Sequence, residues 1–243
     1  GGVYGVAALA LGTESIRKVE KLVGPGNAYV TAAKKLLYGK VAIDMVAGPS
    51  EILIIADQTV NPKYAAADLL SQAEHDKMAS AVLVTTSKEL AEAVQKEIEI
   101  QIQRLERAEI ARASIDGNGK IIVVDDIKTA IDIANEIAPE HLELCVDNPF
   151  DYLDEIRHAG SVFMGKSCPE ALGDYLAGAN HTLPTSGTAK FSSPLSVDDF
   201  VKKTQYTYYT ADALKRVAYD VAYFAEQEGL YAHAKSAVIR LEE

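Results

Sequence analysis

Cysteine is almost absent: Cys145 and Cys168 are the two in a chain of 243 residues. Two thiols cannot build a disulfide framework, so their scarcity points to a reducing, cytoplasmic setting. Basic residues are outnumbered, 24 Lys and Arg against 35 Asp and Glu, for a net charge of −11. That balance excludes nucleic acid as an expected partner, because a phosphate-binding surface needs clustered cations. No apolar run approaches the ~20 residues of a membrane span and no signal peptide is visible, so no membrane partner is expected. Histidine is sparse, five residues in all. There is no HExxH, CxxC or GxGxxG. An ordinary dinucleotide fingerprint is therefore not indicated, and any metal site must be assembled from dispersed ligands.

Hydrophobic residues make up 48% of the chain, enough for a sizeable core. Short apolar runs alternate with helical patterns. "SEILIIAD", "AVLVTT", "KIIVVDD", "HLELCVD" and "GSVFMG" read as strands. Helices are expected from about Pro62 to His75, from about Lys88 to Ala113, over "IKTAIDIANEIA", and briefly near "PFDYLDEI". This alternation implies βαβ units: an α/β fold with an open, mostly parallel sheet, flanking helices and incomplete Rossmann-like units. Ligands of such sheets are expected beyond the carboxyl ends of the strands. From Ser167 to Ser196 the chain is rich in Gly, Ser, Thr and Pro and reads mostly as loop. "VDDFVKKTQYTYYT", "ADALKRVAYDVAYFAEQEG" and "LYAHAKSAVIRLEE" then read as helices. The expected division is residues 1–50 as the remnant of a second Rossmann-like domain, 51–190 as the main α/β domain, and 191–243 as a helical tail. The opening "GGVYGVAALALG" lacks an initiator Met and reads as the interior of something longer.

Chemistry can sit in several places. Gln72 and His75 are three residues apart at the end of a helix and share a face. They are either an ordinary solvated helix end or half of a metal site. With Asp174 and His233 they would complete a four-ligand set of the kind Zn²⁺ accepts. In "GPGNAYV", Asn27 either caps the next helix or presents that helix start to an anionic ligand. Ser50 in "AGPSE" either starts a strand or touches a ligand. The neighbours Glu140 and His141 suit acid–base chemistry, but strand neighbours point to opposite faces, so both serve one site only at a bend, which Pro139 would favour. His158 reads as a plain surface residue.

"GTES", "GPGNAYV", "AGPSEILIIAD", "LLSQAEHD", "APEHLEL", "GDYLAGANHTLPT" and "EGLYAHAKSAV" occur in the order and near the spacing of one family, which the chain resembles along almost its whole length: histidinol dehydrogenase. The resemblance implies NAD⁺-dependent, four-electron oxidation of L-histidinol to L-histidine through an aldehyde held on the enzyme, the last steps of histidine biosynthesis. It implies Zn²⁺ at Gln72, His75, Asp174 and His233, holding the substrate rather than carrying out redox chemistry. It implies His141 as general base or acid and Glu140 as the group that activates water for the aldehyde stage. Ser50, His181 and Glu228 join the zinc ligands and His141 as substrate contacts, and Asn27 contacts NAD. The family is homodimeric, so Glu228 and His233 would cross to the partner's site.

Two departures follow. The chain matches only a C-terminal portion of the family's length, leaving the cofactor pocket incomplete. Tyr4 also stands where the family has a Gln that touches NAD. The alternative is a non-catalytic, zinc-binding dimerisation fragment or short form. A third reading, a zinc hydrolase using metal-activated water directly, leaves the turn at Asn27 without a role.

Overall fold

A computed structural model describes residues 1–242. It divides into two compact units, Gly1–Phe200 and a second from Val201 onward.

The first unit opens with helix α1 (Gly2–Leu11), strand β1 (Lys21–Leu22), helix α2 (Ala28–Leu37) and strand β2 (Ala42–Ile43). β1 and β2 pair in parallel, and Ala10, Leu22 and Val41 bury together between them and the helices. The chain then builds β3 (Glu51–Ala56), α3 (Pro62–Ala73), β4 (Ser80–Thr85), α4 (Lys88–Gln101), α5 (Ala108–Asn118), β5 (Lys120–Val123), α6 (Ile127–Ile137), β6 (His141–Cys145), β7 (Ser161–Met164) and α7 (Glu170–Tyr175). Strands β3 to β7 form one five-stranded, wholly parallel sheet in the order β5-β4-β3-β6-β7.

Alternation along β3 explains the layers. Ile52, Ile54 and Ala56 join residues of α3, α4 and α5 in one core. Leu53 and Ile55 join Ala130, Ile131 and Ala134 of α6 in another. Both faces are covered, which is why β3 reads as an unbroken apolar run. Burying each of these Ile and Leu side chains contributes ~1.5–3 kcal/mol.

Three expectations need correction. The helix expected from Lys88 to Ala113 is two helices joined by a 3-10 turn, Ile102–Arg104. A single rod of that span would run about 39 Å at ~1.5 Å per residue. The break at Leu105, whose backbone is extended, lets Ile98, Ile102 and Ala111 enter the same core. Residues 201–210 form no helix and are exposed throughout. They are dense in Thr and Tyr, which lose rotamer freedom in a helix, and they bury no face that would repay that loss. Helix starts only at Thr210, whose hydroxyl accepts the N–H of Ala213 at 3.2 Å. His158 is half-buried, with its Nδ1 3.1 Å from the carbonyl of Asn135.

The second unit carries the pair α8 (Ala211–Gln227) and α9 (Tyr231–Val238), packed through Ala222, Ala225 and Ala234. Its turn uses Gly229 at φ 75°, with Leu230 N–H donating to the carbonyl of Ala225 at 2.7 Å, a left-handed helix end that glycine adopts without a Cβ clash. Among the described residues, no helix is long and apolar enough to cross a membrane.

Candidate functional site

The chain order reverses beside β3, which lies between β4 and β6. At the carboxyl ends there, the crevice is bridged by the chain's own groups. Asp147 N–H donates to Asp57 Oδ2 at 3.2 Å, and Lys166 pairs with Asp147 and Thr59. The candidate residues gather at the opposite rim. Glu51 and His141 start their strands, and α3 returns against the strands to deliver Gln72 and His75 to the same rim. The candidate residues thus lie at the amino ends of the strands and not beyond the carboxyl ends, because Glu51 and His141 open their strands and α3 carries its polar residues at its last turn.

Glu140 and His141 do converge. Ala138, fully buried, ends α6 in the left-handed conformation at φ 54°. That turn, followed by Pro139, aims both side chains at the peptide of Glu51. Glu140 Oε2 accepts the N–H of Glu51 at 3.1 Å, and His141 Nδ1 lies 3.0 Å from its carbonyl oxygen. A carbonyl only accepts, so Nδ1 carries the proton and Nε2 is the free lone pair. Nε2 lies 3.9 Å from Glu170 Oε2. Burial lowers the pKa of His141, with the charges of Glu170 and Asp174 and the Glu51 carbonyl pulling the other way. Burial pushes Glu140 up to about 8, with the neighbouring charges of Glu51, Asp174 and Glu170 adding to the rise. Glu51 is raised by burial as well.

Among the described residues, the buried side-chain oxygens without a hydrogen-bond partner are Glu51 Oε2, Gln72 Oε1 and Glu170 Oε2. All three belong to this rim. Leaving such a group unpaired costs ~1–3 kcal/mol, so their occurrence along one rim makes it the candidate place for a ligand. Ligand atoms of His141, Glu170 and Asp174 lie within 4.8 Å of one another. Gln72 is 1% exposed, with its oxygen free for a cation. His75 lies just past the end of α3, its N–H donating to the carbonyl of Gln72 at 3.2 Å, and it is near enough to His141 to add to the lowering of that ring's pKa. These amide, carboxylate and imidazole donors suit Zn²⁺.

The remaining residues are placed as follows. Ser50 immediately precedes β3. His181 is exposed at the start of a loop that docks beside β3, where Gly48 N–H donates to Thr185 Oγ1 at 2.7 Å and Ser186 N–H to Glu51 Oε1 at 3.2 Å. Asn27 caps α2: its Oδ1 accepts the N–H groups of Tyr29 and Val30, both at 3.1 Å, which leaves its amide NH₂ for any other contact. Tyr4 is 89% exposed on α1. Glu228 and His233 are exposed on the second unit, at the end of α8 and on α9.

Sequence reasoning missed Glu170, Glu51 and Glu143. Glu170 stands four residues before Asp174, one helical turn on the same face. Glu143 stands two residues after His141, on the same face of a strand.

The histidinol dehydrogenase family profile matches residues 1–241. A histidinol dehydrogenase from Bacillus cereus is 59% identical over 243 residues, which is 100% of this chain and 57% of the relative. One from Caldanaerobacter subterraneus subsp. tengcongensis is 65% identical over 240 residues, 99% of this chain and 56% of the relative. The crystal structure of histidinol dehydrogenase from Elizabethkingia anophelis superposes with a TM-score of 0.91 at 43% identity, covering 100% of this chain and 56% of that one. The chain thus spans somewhat more than half the length of the relatives it matches.

Proposed function

The chain belongs to the histidinol dehydrogenase family, and on that premise we propose that it carries the metal, substrate and proton-transfer groups for the NAD⁺-dependent oxidation of L-histidinol to L-histidine via L-histidinal. The observation that carries this reading is that three unpartnered buried oxygens, on Glu51, Gln72 and Glu170, belong to the rim where His141 opens its strand, with Glu170 Oε2 3.9 Å from His141 Nε2.

His141 enters as a neutral imidazole with Nε2 free, the form needed to take the proton of the substrate hydroxyl as the alcohol becomes an aldehyde. The Glu51 carbonyl holds the ring in that tautomer. Glu140 then takes a proton from the water that adds to the aldehyde. Its pKa of about 8 keeps it mostly protonated at neutral pH and makes its ionised form a stronger base than an ordinary carboxylate, so this step should speed up as pH rises through about 8. NAD⁺, when bound, accepts the hydride of each oxidation. Gln72, His75 and Asp174, with His233 from the partner of a homodimer, would hold Zn²⁺, which when bound supplies a fixed anchor for the substrate's imidazole and amino nitrogens. Ser50, His181 and Glu228 are the further substrate contacts in this reading. Asn27, through its amide NH₂, gives NAD one contact. The other contacts belong to the portion of the family that the chain does not span, together with the rest of the domain to which residues 1–50 contribute.

Zinc content of the full-length protein tests the reading. Wild type should hold one zinc per site, and His75→Ala and His233→Ala should each lose it. Mixing those two variants should restore zinc to one site per mixed dimer. Equal zinc in wild type and both variants would remove these residues from the coordination sphere. Zinc binding and dimerisation without any turnover of histidinol would favour the non-catalytic reading.

A further inference from the structure

Beneath the rim lies a second carboxyl group that the mechanism does not use. Glu143 is 0% exposed, on the same face of β6 as His141 and Cys145. Its Oε1 accepts the backbone N–H of Glu170, the first residue of α7, at 2.8 Å. The carboxyl of Asp68 on α3 lies beside it, near enough for the two to share a proton. Two carboxyl groups bond to each other only by sharing a proton, since ionised carboxylates accept and do not donate. Burial pushes Glu143 up to about 9 and Asp68 up to about 6, which keeps that proton in place at neutral pH. A parallel link runs from Ser71 Oγ on α3 to Glu170 Oε1 at 2.8 Å. It occupies one oxygen of Glu170 and leaves the other facing His141 Nε2.

We propose that Glu143 is a positioning residue: it fastens α7, with Glu170 and Asp174, and α3, with Gln72 and His75, to the strand that carries His141, so that the metal donors and the base keep one geometry. Three elements meet at this one carboxyl, and each contributes a different part of the site. Asp68 and Ser71 lie four and one residues before Gln72, so movement at their bonds is passed to Gln72 through the rigid last turns of α3. Groups that orient metal ligands from behind are worth about 10–100-fold in metal affinity. This inference rests on the reading of the rim as a metal site.

The test compares wild type, Glu143→Gln and Glu143→Leu in the full-length zinc-loaded enzyme, by competition for zinc against a chromophoric chelator. Gln keeps an oxygen for the Glu170 N–H and supplies an N–H to Asp68. Leu fills the space and removes both bonds. Glu143→Gln should bind zinc within about threefold of wild type, and Glu143→Leu should lose about 10–100-fold. Amide exchange at Glu170 in the zinc-free protein should remain slow in Glu143→Gln and become fast in Glu143→Leu. Should Glu143→Leu not fold, Glu143→Asp, one methylene shorter, carries the same expectation. Unchanged zinc affinity in Glu143→Leu, or a Glu143→Gln as impaired as Glu143→Leu, would overturn the proposal. Absence of zinc from wild type itself would overturn the metal reading and this inference with it, a result told apart by the wild-type control.

Discussion

A methyl group on Gly160 would lie 2.5 Å from the carbonyl oxygen of Glu140. The two segments are also tied by hydrogen bonds, Gly160 N–H to the Pro139 carbonyl and Ser161 N–H to the Glu140 carbonyl, both 2.9 Å. The backbone that aims Glu140 therefore depends on the missing side chain at position 160. Gly160→Ala should destabilise the protein by about 1–3 kcal/mol, since the obstacle is backbone and cannot swing aside. Gly117→Ala in α5, where a Cβ meets nothing within 4 Å, should stabilise by about 0.5–1 kcal/mol. Urea unfolding of both variants checks the contrast.

His141 and Glu140 should separate by reaction stage. His141→Ala should lower the overall rate in the full-length enzyme by about 10²–10⁴-fold while zinc content stays at the wild-type level. Glu140→Gln should slow oxidation of the aldehyde more than that of the alcohol, because it retains shape but cannot take a proton from water. Steady-state assays started from histidinol and from histidinal measure the two stages.

Stability should fall with rising pH through the buried Glu143. Its folded pKa, about 9, lies above the ordinary carboxylate value of 4.5, so between those two the folded state holds a proton that the unfolded chain has released. The stabilisation is complete below the unfolded pKa and is lost as pH rises through the folded one. Glu143→Gln carries no titrating group there, so its urea midpoint should decline less between pH 6 and about 9 than that of wild type. Equal slopes would show that Glu143 does not retain its proton on folding.

Lys34 and Asp44 form a buried ion pair whose side chains are 5% and 2% exposed. Lys34 Nζ also donates to the Gly24 carbonyl at 2.9 Å, and Asp44 Oδ2 accepts the Gly24 N–H at 2.6 Å. The pair thus fixes the turn that leads to Asn27. Asp44→Ala should cost about 3–5 kcal/mol, since it strands a buried ammonium. Pairing Lys34→Met with Asp44→Leu should recover much of that loss. Thermal or urea denaturation of the single and double variants decides it.

The strands and the Gln72–His75 pair were legible because each rests on a local period: unbroken apolar runs for the buried strands, and three-residue spacing at the end of α3. Glu170 was hidden because α7 is six residues long and lies in a stretch of Gly, Pro and Ser whose texture reads as loop. Glu143 was hidden because a carboxylate between Leu142 and Leu144 gives no sign of its partner Asp68, which is distant in sequence. The break at Leu105 carries neither Gly nor Pro. It is imposed by the packing of α4 and α5 on one sheet face, which no local pattern encodes. The bend that unites Glu140 and His141 was visible in Pro139, but the left-handed Ala138 before it was not.

Placing the site at the amino rim also sets its electrostatic sign. Helices that follow parallel strands return with their carboxyl ends at this rim, so α3 and α6 both finish there. Each such end carries the equivalent of roughly half a negative charge. Phosphate-cradling α/β sites use the opposite rim, where helix amino ends offer positive potential. Here the backbone itself favours cations, which is the sign that the proposed zinc and the proposed amine-bearing substrate would need.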